Sequence, residues 1–186
     1  MAMFAGLDWS MSCPAICIYD SKKPFNFKNC TFFFYTDKKK FDQSYGNIHG
    51  FKNSLYDCEE DRFDQISEWG IQIMLKHGVT QACLEGYSMG SSGRVFNIAE
   101  NIGLLKHKMW KNNIKFITPP PTTVKKFFTG KGNAKKEAMY DALVEKGLEC
   151  DLESLLSSRK QDSPIADIVD SYAMIDYMLH NIDSKV

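Results

Sequence analysis

The first part of the chain carries three short apolar runs, AMFAGL (Ala2–Leu7), PAICIY (Pro14–Tyr19) and CTFFFY (Cys30–Tyr35), separated by turn formers such as Ser21, Pro24, Asn26 and Asn29. Such runs predict strands, and three so close in sequence predict an antiparallel meander. A fourth run, VTQACL (Val79–Leu84), follows a helical pattern over Asp61–His77, with Phe63, Ile66, Trp69 and Ile73 on one face and Gly78 placed to end it. Ile114–Ile117 gives a fifth strand, stopped by the prolines at 119–121. Further helices are predicted over Arg94–Lys111, through Phe128, over Ala134–Lys146, and from Ser163 (N-cap) and Pro164 (first position) to His180. The sum is an α/β fold, a mixed five-stranded sheet (antiparallel meander plus parallel strands) flanked by helices. One domain over 1–186 is expected, with a long connection or inserted hairpin at 37–60.

Composition narrows the function. At 186 residues and 44% hydrophobic content, the chain is long enough to bury roughly 70% of its unfolded surface, which disfavours disorder. No apolar run has membrane-helix length, and MAMFAGLDWS lacks the form of a signal peptide, so a soluble cytoplasmic protein without membrane contact is expected. The six cysteines need not be staples in a chain of this size, and they are read as reduced and mostly buried. No CxxC pair or zinc-spaced His/Cys cluster occurs.

Net charge is zero, but it is unevenly spread. Asn101–Tyr140 holds nine lysines against a single acid, Glu137, and so carries +8, leaving −8 for the remainder. Lys125, Lys126, Lys131, Lys135 and Lys136 surround the turn Gly130-Lys131-Gly132, which opens a helix, and amides and lysines so placed suit a backbone phosphate. The loop Gly86–Gly93 (GYSMGSSG), with Ser91 and Ser92, and Arg94 beyond it form a second candidate contact to nucleic-acid backbone, beside the plainer reading of a strand-to-helix turn. With only three arginines, recognition through phosphate position and shape is easier to support than extensive base readout.

Four acids stand at positions where chemistry is expected. Asp8 and Glu85 each follow a buried run, at the strand ends where open α/β sheets place their sites. Asp167 and Asp170 lie three apart on the last helix, on one face, with no Lys or Arg between Gln161 and His180 to neutralise them. Clustered carboxylates suit Mg2+, and a pair of such ions suits phosphodiester hydrolysis.

On four blocks the chain resembles the RuvC-type Holliday junction resolvases of the RNase H-like superfamily: GLDWS (Gly6–Ser10), LEGYSMGSSG (Leu84–Gly93), VKKFFTGKGNAKKEAM (Val124–Met139) and ADIVDSYAM (Ala166–Met174). The third block is the most specific. The resemblance implies an RNase H-like fold, with Asp8, Glu85, Asp167 and Asp170 as metal ligands for Mg2+ (Mn2+ substituting), two ions per site, and Lys125 and Lys136 on the family's functional lysines. Tyr87 is the nearest candidate for its junction-probing aromatic. It further implies a homodimer that binds branched DNA and nicks four-way junctions in pairs, leaving 5′-phosphate and 3′-hydroxyl ends, with Lys136 offsetting charge in the transition state. Trp9 and the length of 37–60 depart from the compact bacterial pattern and suit a divergent, phage-encoded type. The stripe Val95–Met109 fits either a dimer interface or the chain's own sheet. Two other activities stay open: a related nuclease for branched, flapped or RNA-containing duplexes, and a non-catalytic junction-binding protein.

Overall fold

The computed structural model describes residues 2–86 and 95–182. Strands β1 (Met3–Asp8), β2 (Ala15–Asp20) and β3 (Cys30–Thr36) form the expected antiparallel meander, with Gly6 opposite Cys17 and Cys17 opposite Phe32. The sheet has seven strands rather than five. The 37–60 segment supplies the two additional ones, β4 (Ser44–Tyr45) and β5 (Ile48–Lys52), an antiparallel hairpin that joins the sheet by pairing β5 parallel to β3. Its polar composition hid it, since only Ile48 and Gly50 of β5 are buried. On the other side β6 (Val79–Leu84) and then β7 (Lys115–Ile117) run parallel to β1, giving the order β4-β5-β3-β2-β1-β6-β7.

Alternation along the strands separates two cores. Phe4, Cys17, Tyr19, Phe32 and Phe34 face one side; Ala5, Leu7, Ile16, Ile18 and Phe33 face the other. Helices α1 (Glu59–Lys76) and α2 (Val95–Lys111) cover the second side. Acids Glu59, Glu60 and Asp61 occupy the first turn of α1, where the helix dipole favours them, and Gly78 follows its end at φ 66°. On α2 the residues buried against the sheet are Ile102, Leu105 and Met109, whereas Val95 and Phe96 are exposed. That stripe therefore covers the chain's own sheet.

The first side is covered by α3 (Pro121–Thr129), α4 (Lys136–Glu145), the short α5 (Leu152–Leu156) and α6 (Ile165–Ile182). The sequence reads Gly147–Gln161 as a polar connection with some helical tendency, and α5 is that tendency realised; Asp151 caps it by accepting from the amides of Glu153 and Ser154. α6 begins just after Ser163 and Pro164, which are joined by a cis peptide bond. Ile165, Ile168, Val169, Tyr172, Ala173 and Ile175 are all buried, so α6 is apolar on most sides and lies within the fold rather than upon it. It approaches β1 at Gly6, where a Cβ would collide with the Ser171 carbonyl oxygen and come within 2.8 Å of Ile175 Cγ1. Trp9 packs face to face with Trp69 at 6.3 Å and lies over Gly70, which accounts for a bulky residue after Asp8.

All six cysteines are free, and Cys13, Cys17, Cys30 and Cys83 are buried, as the sequence predicts. No helix among the described residues is long and apolar enough to cross a membrane.

Gly6→Ala should force α6 away from β1 and cost about 1–3 kcal/mol, as overpacking does. Thermal unfolding should show a melting temperature lowered by about 3 °C per kcal/mol; an unchanged value would refute the close approach.

Candidate functional site

Strand parity decides where the acids point. Asp8 shares its face of β1 with Phe4 and Gly6, the face against α6. Leu84 and Ala82 face α1 and α2, so Glu85 turns to the same side as Cys83, toward α6. The β1–β6 register pairs Leu7 with Leu84 and continues with the Glu85 amide donating to the Leu7 carbonyl at 3.3 Å, which brings Asp8 and Glu85 alongside one another. Gly86 fixes the next step: its amide donates to Pro119 O at 2.9 Å, and a Cβ there would lie 2.8 Å from that oxygen. Above these strand ends, the first turns of α6 present Asp167 and Asp170.

The four carboxylates feel one another. Asp8 is held well above the ordinary carboxylate range, first by burial and then by the charges of Asp167, Glu85 and Asp170, with Lys136 opposing. Burial and the charge of Glu85 raise Asp170 to about 7, against Lys125. Burial also raises Glu85, and here Lys125 and Lys136 oppose. Asp167 is raised by burial, while Ser163, Lys136, Cys13 and Asp8 favour its ionised form. The Oδ2 atom of Asp167 is buried without a hydrogen-bond partner among the described residues. Among the described residues no three acidic, His or Cys side chains already have the spacing of a closed metal-ligand set. Four mutually repelling carboxylates form a looser cluster than that.

The lysines divide. Lys136, the first residue of α4, and Lys125 on α3 act on the acids. Lys126, Lys131 and Lys135 are exposed, and Lys131 lines a different groove, with Asp141 and Glu145. Lys108 bridges to α1, 2.7 Å from Asp64 and 3.3 Å from Glu68, so part of the basic segment's charge goes to bracing two helices. Tyr87, Ser91, Ser92 and Arg94 lie outside the described residues. Sequence reasoning missed Cys13 and Ser163 beside Asp167. The turn after β1, where the Cys13 amide donates to Ser10 Oγ at 2.9 Å, brings the thiol there, and no spacing rule would have found it.

These shifts give a pH dependence. A carboxyl whose folded pKa is raised binds more protons folded than unfolded, so it lowers stability as pH rises from its unfolded pKa, about 4, to its folded one. For Asp170 that window ends near pH 7. His49 and His77, lowered by burial, act in the opposite sense, so the comparison must be with a variant. In EDTA, Asp170→Asn should match the parent near pH 4 and be increasingly more stable up to pH 7. Parallel melting curves across that range would contradict the burial of this charge.

Neither a protein-family model nor a curated protein matches the sequence. Solved structures match in fold. Thermus thermophilus RuvC in complex with a Holliday junction substrate aligns with a TM-score of 0.61 at 13% identity, over 96% of this chain and 95% of that one. The fowlpox virus resolvase, in complex with Holliday junction DNA, gives 0.54 at 16% identity, over 96% and 97%. The yeast mitochondrial Holliday junction resolvase Ydc2 gives 0.53 at 13% identity, over 93% and 75%. With likeness at this level reporting on the fold alone, the chain shares the fold of these solved Holliday junction resolvases, and one edge of its sheet is formed by the β4–β5 hairpin.

Proposed function

We propose that this protein is a Mg2+-dependent, structure-selective endodeoxyribonuclease that resolves four-way DNA junctions as a homodimer, with residues 1–186 as one nuclease domain acting in the cytoplasm. The observation that carries this reading is the meeting of Asp8 and Glu85, on adjoining strand ends, with Asp167 and Asp170 of α6, beside Lys125 and Lys136. Two of the solved structures sharing the fold hold Holliday junction DNA, which supports the choice of substrate.

The donor set fits a hard cation. It is all oxygen, it is crowded with like charge, and the Asp167 Oδ2 atom is buried with no hydrogen-bond partner among the described residues. Asp8, Glu85, Asp167 and Asp170 would hold two Mg2+ ions, with Mn2+ as a substitute. When bound, such ions supply Lewis-acid polarisation of a phosphodiester and a lowered water pKa. The chain's own contribution is placement. Burial of Asp8 and Asp167 keeps water from screening their charge, and Gly6 seats the α6 pair over the strand ends. Lys136, exposed at the start of α4, offsets negative charge that builds on the phosphate during cleavage to 5′-phosphate and 3′-hydroxyl ends. Lys125, half-buried between helix and acids, holds the adjacent backbone. Lys126, Lys131 and Lys135 extend the basic surface, and Tyr87, Ser91, Ser92 and Arg94 complete the DNA contacts.

Resolution needs two opposed nicks and therefore two sites. The outward face of α2 suits the pairing of copies: Phe96 and Trp110 are 81% and 69% exposed and fourteen residues apart, with Gly103 midway on open space. Trp110→Ala should shift the protein toward monomer in sedimentation.

With Mg2+, the protein should cut a four-way junction in preference to a Y-fork, a linear duplex or an RNA–DNA hybrid. Asp8→Asn should bind the junction as the parent does and cut it at least about 10²-fold more slowly, and Lys136→Ala should slow cutting by about 10²-fold. Full cutting by Asp8→Asn would refute the assignment. Preference for the hybrid would make the protein a different RNase H-like nuclease, and binding without any cutting would make it a junction-binding protein.

A further inference from the structure

The hairpin segment brings a second basic element to the acids. Lys38, Lys39 and Lys40 occupy the turn between β3 and β4, and all three are exposed. The turn is anchored rather than loose. Phe41, which ends it, is 2% exposed and meets Phe34 edge to face at 5.8 Å. Its carbonyl is seated against Gly50 of β5, where a Cβ would collide with it. The Gly50 amide donates to Gln43 O at 2.9 Å, and the Lys52 amide donates to Asp42 Oδ1 at 3.1 Å.

Lys38, Lys40 and Phe41 form one wall of a groove of about 480 Å³, whose other wall is Ser157, Ser158, Arg159, Asp162 and Ser163. Lys40 Nζ lies 3.4 Å from Ser157 O, and Arg159 pairs with Asp162 at 2.8 Å, which leaves the lysines as the groove's net charge. The groove is also lined by Ser163, the residue whose side chain favours the ionised form of Asp167. Lys38 is also the cation that acts on Cys13, a thiol that feels Asp167 and Asp8 as well. Lys125, by contrast, acts on Glu85 and Asp170. The acids are thus flanked by two cationic elements, Lys125 beside the Glu85–Asp170 half and the lysine turn beside the Asp167–Asp8 half.

We infer that the Lys38–Lys40 turn and the groove it shares with Ser157–Ser163 bind the phosphate backbone of the DNA strand on the Asp167 flank of the cleavage site, opposite the strand held by Lys125. The inference rests on the proposed nuclease reading and gives the inserted hairpin its role. It carries three cations on a rigid scaffold to the Asp167–Asp8 side of the acids, where Lys136 of α4 also acts, so a strand crossing the acids is held on both sides.

Binding of a fluorescent four-way junction, and of a linear duplex of equal arm length, is measured by anisotropy in EDTA between 50 and 200 mM NaCl. The probed proteins are the parent, the triple variant Lys38→Ala, Lys39→Ala, Lys40→Ala, and the corresponding triple arginine variant. Each phosphate contact contributes about 0.9 to the slope of log K against log salt. The alanine triple should lose about 2–3 from that slope for the junction and at least about tenfold in affinity, and the arginine triple should keep both. Single-turnover cutting in Mg2+ at subsaturating protein should fall with the lost affinity in the alanine triple, by at least about tenfold, and return to the parent rate in the arginine triple. If the parent binds but the alanine triple keeps its slope, the groove does not hold DNA and the inference falls alone. If the parent binds neither DNA, the nuclease reading falls and takes the inference with it.

Discussion

The meeting of Gly6 with the Ser171 carbonyl is the contact on which the site depends. With any side chain at position 6, helix α6 would stand further from β1, and its two aspartates would rise away from the strand ends below. Strong apolar packing enforces that proximity: α6 is apolar on most of its faces, and each Ile or Tyr it buries contributes on the order of 1.5–3 kcal/mol. The energy gained across the length of the helix offsets the repulsion concentrated at one end, where Asp167 and Asp170 are pressed toward Asp8 and Glu85. A carboxylate cluster of this kind is unfavourable for the isolated fold, and a large hydrophobic helix is what allows it to persist.

The charge distribution follows the same logic. The basic segment is not one continuous surface. Lys108 is committed to Asp64 and Glu68, Lys131 lines a separate groove, and Lys125 and Lys136 act on the acids. A neutral chain can therefore keep a positively flanked site while a lysine such as Lys108 is paired with acids elsewhere. Near Asp176 the pattern recurs: Lys146 lies 3.1 Å from this buried carboxylate, with His180 Nδ1 at 3.3 Å, and that group stabilises the far end of α6 without touching the site.

Much of this is legible in the sequence, for a physical reason. β1, β2, β3 and β6 are buried on both faces or nearly so, and such strands show as uninterrupted apolar runs, which by themselves put Asp8 and Glu85 at strand ends. The three-residue spacing of Asp167 and Asp170 puts them on one helical face in the same way. β4 and β5 escape notice because they are polar edge elements: β5 buries only two residues, and its parallel pairing with β3 is a tertiary matter. The approach of Ser163 and Cys13 to Asp167 depends on how two turns fold over the strand ends, and residue spacing carries no signal for that. Likewise Val95 looks continuous with the buried stripe of α2, although it is exposed.

The two ends of the sheet have a further consequence. β4 has two residues and β7 three, so among the described residues the long strands all lie inside and each margin of the sheet is a short strand. Short margins disfavour the growth of a sheet from one molecule into the next. Copies of this chain are thereby steered away from open-ended stacking along the sheet, which leaves the helical faces as the larger surfaces open to contact.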